Sequence, residues 1–283
     1  MKLLRVGAPG AERPAVLDGT GVPRDLSGVV ADIDGALLAG DGLDRVRAAL
    51  AGGALPAVAP GERIGPPVAR PGKVVCIGLN YSDHAAETGA PLPAEPVVFL
   101  KAPSTVVGPD DRVLVPRRST KTDWEVELAV VIGRTARYLD GHAEAMACVA
   151  GYAISNDVSE REFQLERGGQ WDKGKSCETF NPLGPWLVTA DEVADPQDLG
   201  LRLRVNGVTR QDGRTSDMVF GVAEVVRYLS WFMVLEPGDV INTGTPAGVA
   251  LGQPDPKPYL REGDVVEVEI DGLGRQRQEV GQA

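Results

Sequence analysis

Thr122-Asp123-Trp124-Glu125-Val126-Glu127-Leu128-Ala129-Val130-Val131-Ile132 sets two glutamates, two residues apart, at the head of an apolar run. Side chains alternate faces along a strand, so Glu125 and Glu127 share one face while Trp124, Val126 and Leu128 share the other. The continuously apolar stretch Ala129 to Ile132 has the pattern of a strand covered on both sides. Burying two like charges there without compensation is prohibitively costly. The segment therefore reads in one of two ways: the acids are the wet face of an edge strand, or they converge on a cation. More oxygen ligands are needed to choose.

Outward from this strand the chain is mostly further strands. Alternation and β-branched content predict them at Lys73 to Leu79, Pro96 to Leu100, Asp111 to Val115, Gly151 to Ser155, Trp186 to Thr189, Leu201 to Val205, Asp239 to Thr243 and Val265 to Ile270. Helices are fewer, the clearest at Gly221 to Phe232. The strands neither form hairpins throughout nor alternate with helices in βαβ units, which predicts a β-rich α+β fold. The N-terminal region mixes strand-like pieces (Lys2 to Val6, Pro14 to Leu17) with a helical stretch, Leu43 to Leu50. The breakers Pro56, Pro60-Gly61, Gly65-Pro66-Pro67 and Pro71-Gly72 then read as a linker, so a small N-terminal domain (1–65) is expected ahead of a catalytic domain (66–283).

At 283 residues and 43% hydrophobic the chain can bury one sizeable core with a small accessory domain. Its net charge of -11 repels phosphate backbones and argues against nucleic-acid partners. No apolar run approaches the roughly 18 residues of a membrane helix, and Met1-Lys2-Leu3-Leu4-Arg5 is too short and too quickly charged for a signal sequence. A cytoplasmic protein is expected. Cys76, Cys148 and Cys177 include no Cys-x-x-Cys pair, which argues against disulfides and thiolate zinc. With 2 histidines in the chain, any metal should be a hard, oxygen-loving one.

A third oxygen ligand is suggested by Gly151-Tyr152-Ala153-Ile154-Ser155-Asn156-Asp157, where Asp157 ends an apolar strand. It could equally cap a helix beginning at Val158-Ser159-Glu160-Arg161. Joined with Glu125 and Glu127 it would complete a water-finished carboxylate shell of the kind magnesium or manganese prefers. Asn80 to Gly89 reads as one or two helical turns, with Ser82 as cap and Gly89 as stop. There His84 and Glu87 are neighbours at i, i+3, either a solvated surface pair or an imidazole whose basicity and tautomer a carboxylate fixes. His142 in Asp140-Gly141-His142-Ala143-Glu144 reads as surface.

Gly169-Gln170-Trp171-Asp172-Lys173-Gly174-Lys175-Ser176 satisfies the phosphate-loop pattern letter for letter, making nucleotide binding a rival reading. Its context is wrong: a charged helical segment (Glu160 to Arg167) precedes it, and Asn181-Pro182 and Gly184-Pro185 follow too soon for a helix to grow. Lys175 sits in a glycine-flanked turn where a cation could reach a developing oxyanion, and Cys177 reads as packing. Glu236 to Val249 is a tight turn, a short strand and a glycine-rich turn that could bind a carboxylate or be plain turn chemistry.

With these pieces in order, the chain resembles the fumarylacetoacetate hydrolase family over about residues 70 to 275. The resemblance rests on Gly78-Leu79-Asn80-Tyr81 with His84 and Glu87, Phe99-Leu100-Lys101, Glu125-Val126-Glu127, Asn156-Asp157-Val158, and Gly174-Lys175-Ser176 with Thr243-Gly244-Thr245-Pro246. It implies that Glu125, Glu127 and Asp157 are metal ligands for Mg2+ or Mn2+, that His84 and Glu87 form a lid dyad, and that Lys175 steadies an enolate or oxyanion. It further implies Lys101, Arg161, Gln170 and Thr245 as substrate contacts, a mixed β-roll with a β-grasp-like element, and a homodimer. Ser159 to Cys177 is most similar to the branch that includes sugar-acid hydrolases acting on 2,4-diketo-3-deoxy acids, whose members are often labelled ureidoglycolate lyase. The expected activity is hydrolysis of a carbon–carbon bond in a 2,4-dioxo acid, giving pyruvate and a carboxylic acid. The alternatives on the same site are a 2-oxo acid decarboxylase, an enol tautomerase or isomerase, and ureidoglycolate lyase.

Overall fold

The computed structural model describes residues 1–89 and 91–283. Among them, a large mixed sheet runs in the order Pro23–Asp25, Arg13–Leu17, Lys2–Val6, Asn181–Thr189, Val149–Asn156, Val126–Ile132, Val240–Asn242, Val74–Gly78, Val97–Lys101. A five-stranded sheet packs against it, ordered Val208–Arg214, Gly200–Val205, Val265–Ile270, Gly274–Gln282, Val113–Val115. The fold is a strand-rich α+β assembly.

Val126–Ile132 lies at the centre, antiparallel to Val149–Asn156 on one side and to Val240–Asn242 on the other. That removes the edge-strand reading of Glu125 and Glu127. Its alternation serves two cores. Val126, Leu128, Val130 and Ile132 pack with Leu201, Leu203, Val266 and Val268 of the smaller sheet, while Ala129 and Val131 pack on the opposite face with Leu3, Val16, Leu183 and Leu187. A strand covered on both faces needs apolar residues at every position, which explains the unbroken run.

The first core is closed by the helix Val222–Leu229, whose Val222, Val225, Val226 and Leu229 fall at helical spacing and are all buried. Its first free amide, that of Val222, donates to Gln197 Oε1 at 2.7 Å.

The expected division into 1–65 and 66–283 does not coincide with a gap in this sheet. Lys2–Val6 pairs with Asn181–Thr189, and Leu26, Ile33, Leu37 and Val46 share a core with Ala129, Val131 and Val240. The proline- and glycine-rich stretch around residue 65 is largely buried, with Gly65, Pro67, Val68, Ala69 and Pro71 covered, and Ile64–Gly65 itself returns to pair with Lys2–Val6.

Besides several strands of two or three residues, two long strands escaped the sequence pattern. Val208–Arg214 and Gly274–Gln282 are built largely of polar residues, yet Gln211, Gln276 and Gln278 are fully buried in them.

Candidate active site

Glu125 and Glu127 leave the same face at the start of the central strand, and Asp157 follows the end of its antiparallel neighbour. The pairing Val126↔Asn156 brings the three acids together, and the Asp157 amide donates to Glu125 O at 2.9 Å. One carboxylate oxygen from each lies within 4.8 Å of the others, and all three residues are buried. Asp157 does not cap a helix.

Buried cations surround these acids. Lys175 Nζ donates to Glu125 Oε2 at 2.6 Å and to Asp157 Oδ2 at 3.0 Å. Arg161 Nη2 lies 2.7 Å from Glu125 Oε1, and its Nε donates to Asp123 Oδ2 at 2.8 Å. Burial by itself would raise the Glu125 carboxyl, but Lys175 and Arg161 prevail and bring it down to about 2. The same neighbours, Asp157 first, hold Lys175 above its usual value against the cost of burial.

Glu127 stands apart. Its carboxylate accepts the Gly244 N–H at 2.7 Å, and burial followed by repulsion from Asp157 and Glu125 pushes its pKa well up. A buried anion with a backbone amide but no side-chain cation is the position where a divalent metal would complete the charge balance. Three clustered hard carboxylate oxygens fit magnesium or manganese by donor chemistry.

Glu125, Glu127 and Lys175 form the floor of a cavity of about 240 Å³ lined further by His84, Gln164, Thr245, Phe99, Trp171 and Leu165. His84 arrives on the helix Ser82–Thr88, which ends at Gly89 in the left-handed region at φ 68°. Tyr81, rather than Ser82, occupies the N-cap position. Asn80 moors the helix: its Nδ2 donates to Thr243 O at 2.7 Å and to Phe220 O at 3.0 Å.

His84 Nδ1 is 3.5 Å from Glu87 Oε2, in ion-pair contact without an aligned hydrogen bond. Glu87 is itself held by the Gly248 N–H, which reaches both carboxylate oxygens at 3.0 Å. Gly248 has φ 110°, and a Cβ there would meet Arg210 O at 1.9 Å, so glycine is required for this amide to point at Glu87.

The expected substrate contacts divide. Arg161 and Thr245 line the cavity. Thr245 Oγ1 donates to Val126 O at 2.9 Å and accepts from Gln211 Nε2 at 2.8 Å. Lys101 lies behind the acids: its Nζ is ion-paired with Asp157 Oδ1 and donates to Val158 O at 3.0 Å, so it supports the Asp157 carboxylate instead of lining the cavity. Gln170 is exposed beyond the turn at Gly168 and Gly169, outside the lining, because both glycines at φ 86° and 71° turn the chain outward.

Gln164 was missed in the sequence, being read as part of a charged helical stretch. It is 4% exposed, lines the cavity, and accepts from Arg161 Nη1 at 3.0 Å. Asp123 was missed as well. Besides Arg161 it accepts the amides of Ala250 at 2.7 Å and Leu251 at 2.9 Å, tying the cavity floor to the turn that follows Gly248. Its place in the opening stretch, two residues before Glu125, was the available signal.

The segment with the phosphate-loop pattern is no such loop. It follows the single π-helical turn Glu162–Glu166 instead of a strand, and opens only the short helix Asp172–Lys175. Its lysine is spent on Glu125 and Asp157. His142 is exposed, 2.9 Å from Glu224. Burial lifts the Cys177 thiol to about 11, consistent with packing. Among the described residues, no helix is long and apolar enough to cross a membrane.

The family model described as fumarylacetoacetate (FAA) hydrolase C-terminal matches residues 73–281. A Burkholderia multivorans protein that carries only the provisional name of hydrolase is 55% identical over 278 residues, 98% of each chain. Fumarylacetoacetate hydrolase from psychrophilic Exiguobacterium antarcticum is 36% identical with a TM-score of 0.85, each chain covered 100%. Maleylpyruvate hydrolase from Sphingobium sp. SYK-6, solved with manganese(II) and pyruvate, is 28% identical with a TM-score of 0.82, again over 100% of both chains. Similar solved structures include isomerases as well as hydrolases. This chain belongs to the fumarylacetoacetate hydrolase family and is an enzyme of it.

Proposed function

We propose that this family member hydrolyses the C3–C4 bond of a 2,4-dioxo acid, releasing pyruvate and a carboxylic acid, with Mg2+ or Mn2+ held by Glu125, Glu127 and Asp157. The observation that carries the reading is the cluster of three buried carboxylates with a buried lysine, set beneath a cavity whose wall carries His84 with Glu87 beside it. The similar maleylpyruvate hydrolase, solved with manganese and pyruvate, supports the choice of metal and product.

When bound, the cation supplies Lewis-acid polarisation of the substrate's 1-carboxylate and 2-oxo oxygens. The chain's own residues do the rest. His84 takes a proton from water through its free ring nitrogen while Glu87, beside Nδ1, keeps the other proton there. Water oxygen bonds to C4, and negative charge develops on the 4-oxo oxygen. Lys175, whose acidic neighbours keep its ammonium charged, stabilises that charge. The C3–C4 bond then breaks with its electron pair left on C3, and a proton added there completes pyruvate. Arg161 and Gln164 orient the substrate. Lys101 holds Asp157 from behind.

A second reading, favoured by the isomerases among the similar structures, keeps the carbon skeleton intact and only moves a proton. A panel of acylpyruvates, oxaloacetate, an enol acid and ureidoglycolate separates the outcomes by product. Pyruvate plus a carboxylic acid from acylpyruvates is the expected result, while an isomerised product of unchanged mass would replace this reading by the second. We further propose a cytoplasmic homodimer acting on a small keto acid; sedimentation velocity tests the oligomeric state.

A further inference from the structure

The cavity is graded from a charged floor to a hydrocarbon mouth. Glu125, Glu127, Arg161 and Lys175 are each 5% exposed or less, whereas Leu165 is 44% exposed. Trp171, Thr88 and Leu251 are half-buried between those extremes. The charges at the floor require the carboxylate and 2-oxo end of a dioxo acid to bind there. The arm beyond the 4-carbonyl therefore lies along the mouth.

The polar side chains around that arm are nearly all spent. Arg161 is divided among Asp123, Glu125 and Gln164, and Lys175 between Glu125 and Asp157. The Thr88 hydroxyl donates to His84 O at 3.0 Å, and that of Thr245 to Val126 O at 2.9 Å. Near the mouth, Arg167 is paired with Glu162, Lys173 Nζ donates to Arg167 O at 2.7 Å, and Lys257 Nζ donates to Leu251 O and to Gln253 O, the latter at 2.8 Å; none of the three lines the cavity. The wall beyond the floor is mostly Leu79, Phe99, Leu165, Trp171 and Leu251, with Phe99 and Trp171 in edge contact at 5.4 Å, interrupted by the Gln164 amide and the Thr88 hydroxyl.

We infer that the acyl arm of the substrate is an uncharged hydrocarbon group, not a carboxylate-terminated or polyhydroxylated chain. This rests on the reading of the site as a 2,4-dioxo acid hydrolase. A terminal carboxylate at the mouth would give up water to face leucine and tryptophan and gain no cation. A polyol arm would lose hydrogen bonds to water without replacement, although a hydrophobic wall discriminates less sharply against a hydroxyl than against a charge. The inference departs from the sugar-acid branch that the segment Ser159 to Cys177 resembles.

The test compares kcat/KM of the manganese-loaded enzyme for butanoylpyruvate and succinylpyruvate, which differ by a terminal methyl against a carboxylate. The hydrocarbon substrate is expected to win by about tenfold or more; equal or reversed preference overturns the inference. Leu165→Lys, at an exposed position that fold stability does not depend on, should shift the ratio toward succinylpyruvate by about tenfold, and an unchanged ratio contradicts the placement of the arm. A binding arm needs no turnover: calorimetric titration of the loaded enzyme with 2-oxohexanoate should give tighter binding than with 2-oxoadipate. If neither acylpyruvate yields pyruvate while that binding preference holds, the hydrolase reading fails and the apolar subsite stands. If pyruvate is released with the opposite preference, the hydrolase reading stands and the apolar subsite fails.

Discussion

The floor of the cavity hangs on two central strands of the large sheet, each acid fixed by register and most of them by a buried cation. The lid is a seven-residue helix, moored by Asn80 and by the Gly248 amide, with its histidine and glutamate in loose contact at 3.5 Å. The floor is over-determined at two of its acids: Lys175, Lys101 and Arg161, the last anchored by Asp123, hold Glu125 and Asp157. Of the seven helix residues only His84 and Ala85 are buried, which fits an element that closes over a ligand. Substitutions at the floor should therefore alter metal binding or stability, and substitutions in the lid should alter turnover alone.

The largest effect expected from this contrast is in the lid. His84→Ala should lower kcat by about 10²–10⁴ while leaving manganese affinity and melting temperature unchanged; retained turnover would end its role as base. Next, Asp123→Asn should cost about 3 kcal/mol of stability by leaving part of Arg161 buried and unpaired. Chemical denaturation measures it, and a loss of activity without a loss of stability would show that Asp123 belongs functionally with the lid.

Glu127→Gln should weaken manganese binding by about 100-fold or more, with activity falling in step. In metal-free protein the same change should leave the melting temperature equal or higher, because the lost charge is the one the floor does not neutralise. A clear drop in metal-free stability would contradict that electrostatic picture. The smallest effect is expected for Glu87→Gln, about tenfold in kcat, since the amide oxygen can still accept from Gly248 while the fixing of the imidazole proton is lost. A shift of the pH profile with kcat, against an unchanged KM, separates this role from a structural one.

The same contrast explains what could be read from sequence. The strand Val126–Ile132 was legible because two covered faces force an apolar residue at every position, so its glutamates stood out. Val265–Ile270 was legible by simple alternation. Asn181–Thr189 was half hidden, since Pro182, Gly184 and Pro185 signal a break that its neighbours in the sheet override. Gly274–Gln282 was invisible: Gln276 and Gln278 look solvated, yet they are buried and spend their amides on Ile154 O at 2.9 Å, Gly184 O at 3.0 Å and Pro109 O.

Site residues followed the same rule. The three acids, His84, Glu87 and Lys175, for which we propose the chemical roles, lie in short ordered motifs. Asp123 and Gln211 act through contacts made by segments distant in sequence, and Gln211 reaches Val126, Thr245 and Pro246 from a strand that alternation did not reveal; Gln164 is turned inward by the π-helical turn Glu162–Glu166 and pairs with Arg161 three residues before it. Gln170, six residues after Gln164, shares its type but not its position: two glycines turn it out to solvent.

The most direct test of the account is pyruvate release from butanoylpyruvate by the manganese-loaded enzyme, followed with and without chelator. The account predicts pyruvate and butanoate in equal amounts, abolished by chelation and restored by Mn2+ or Mg2+. Turnover that survives complete metal removal, or a metal-dependent product that keeps the C3–C4 bond, would contradict it.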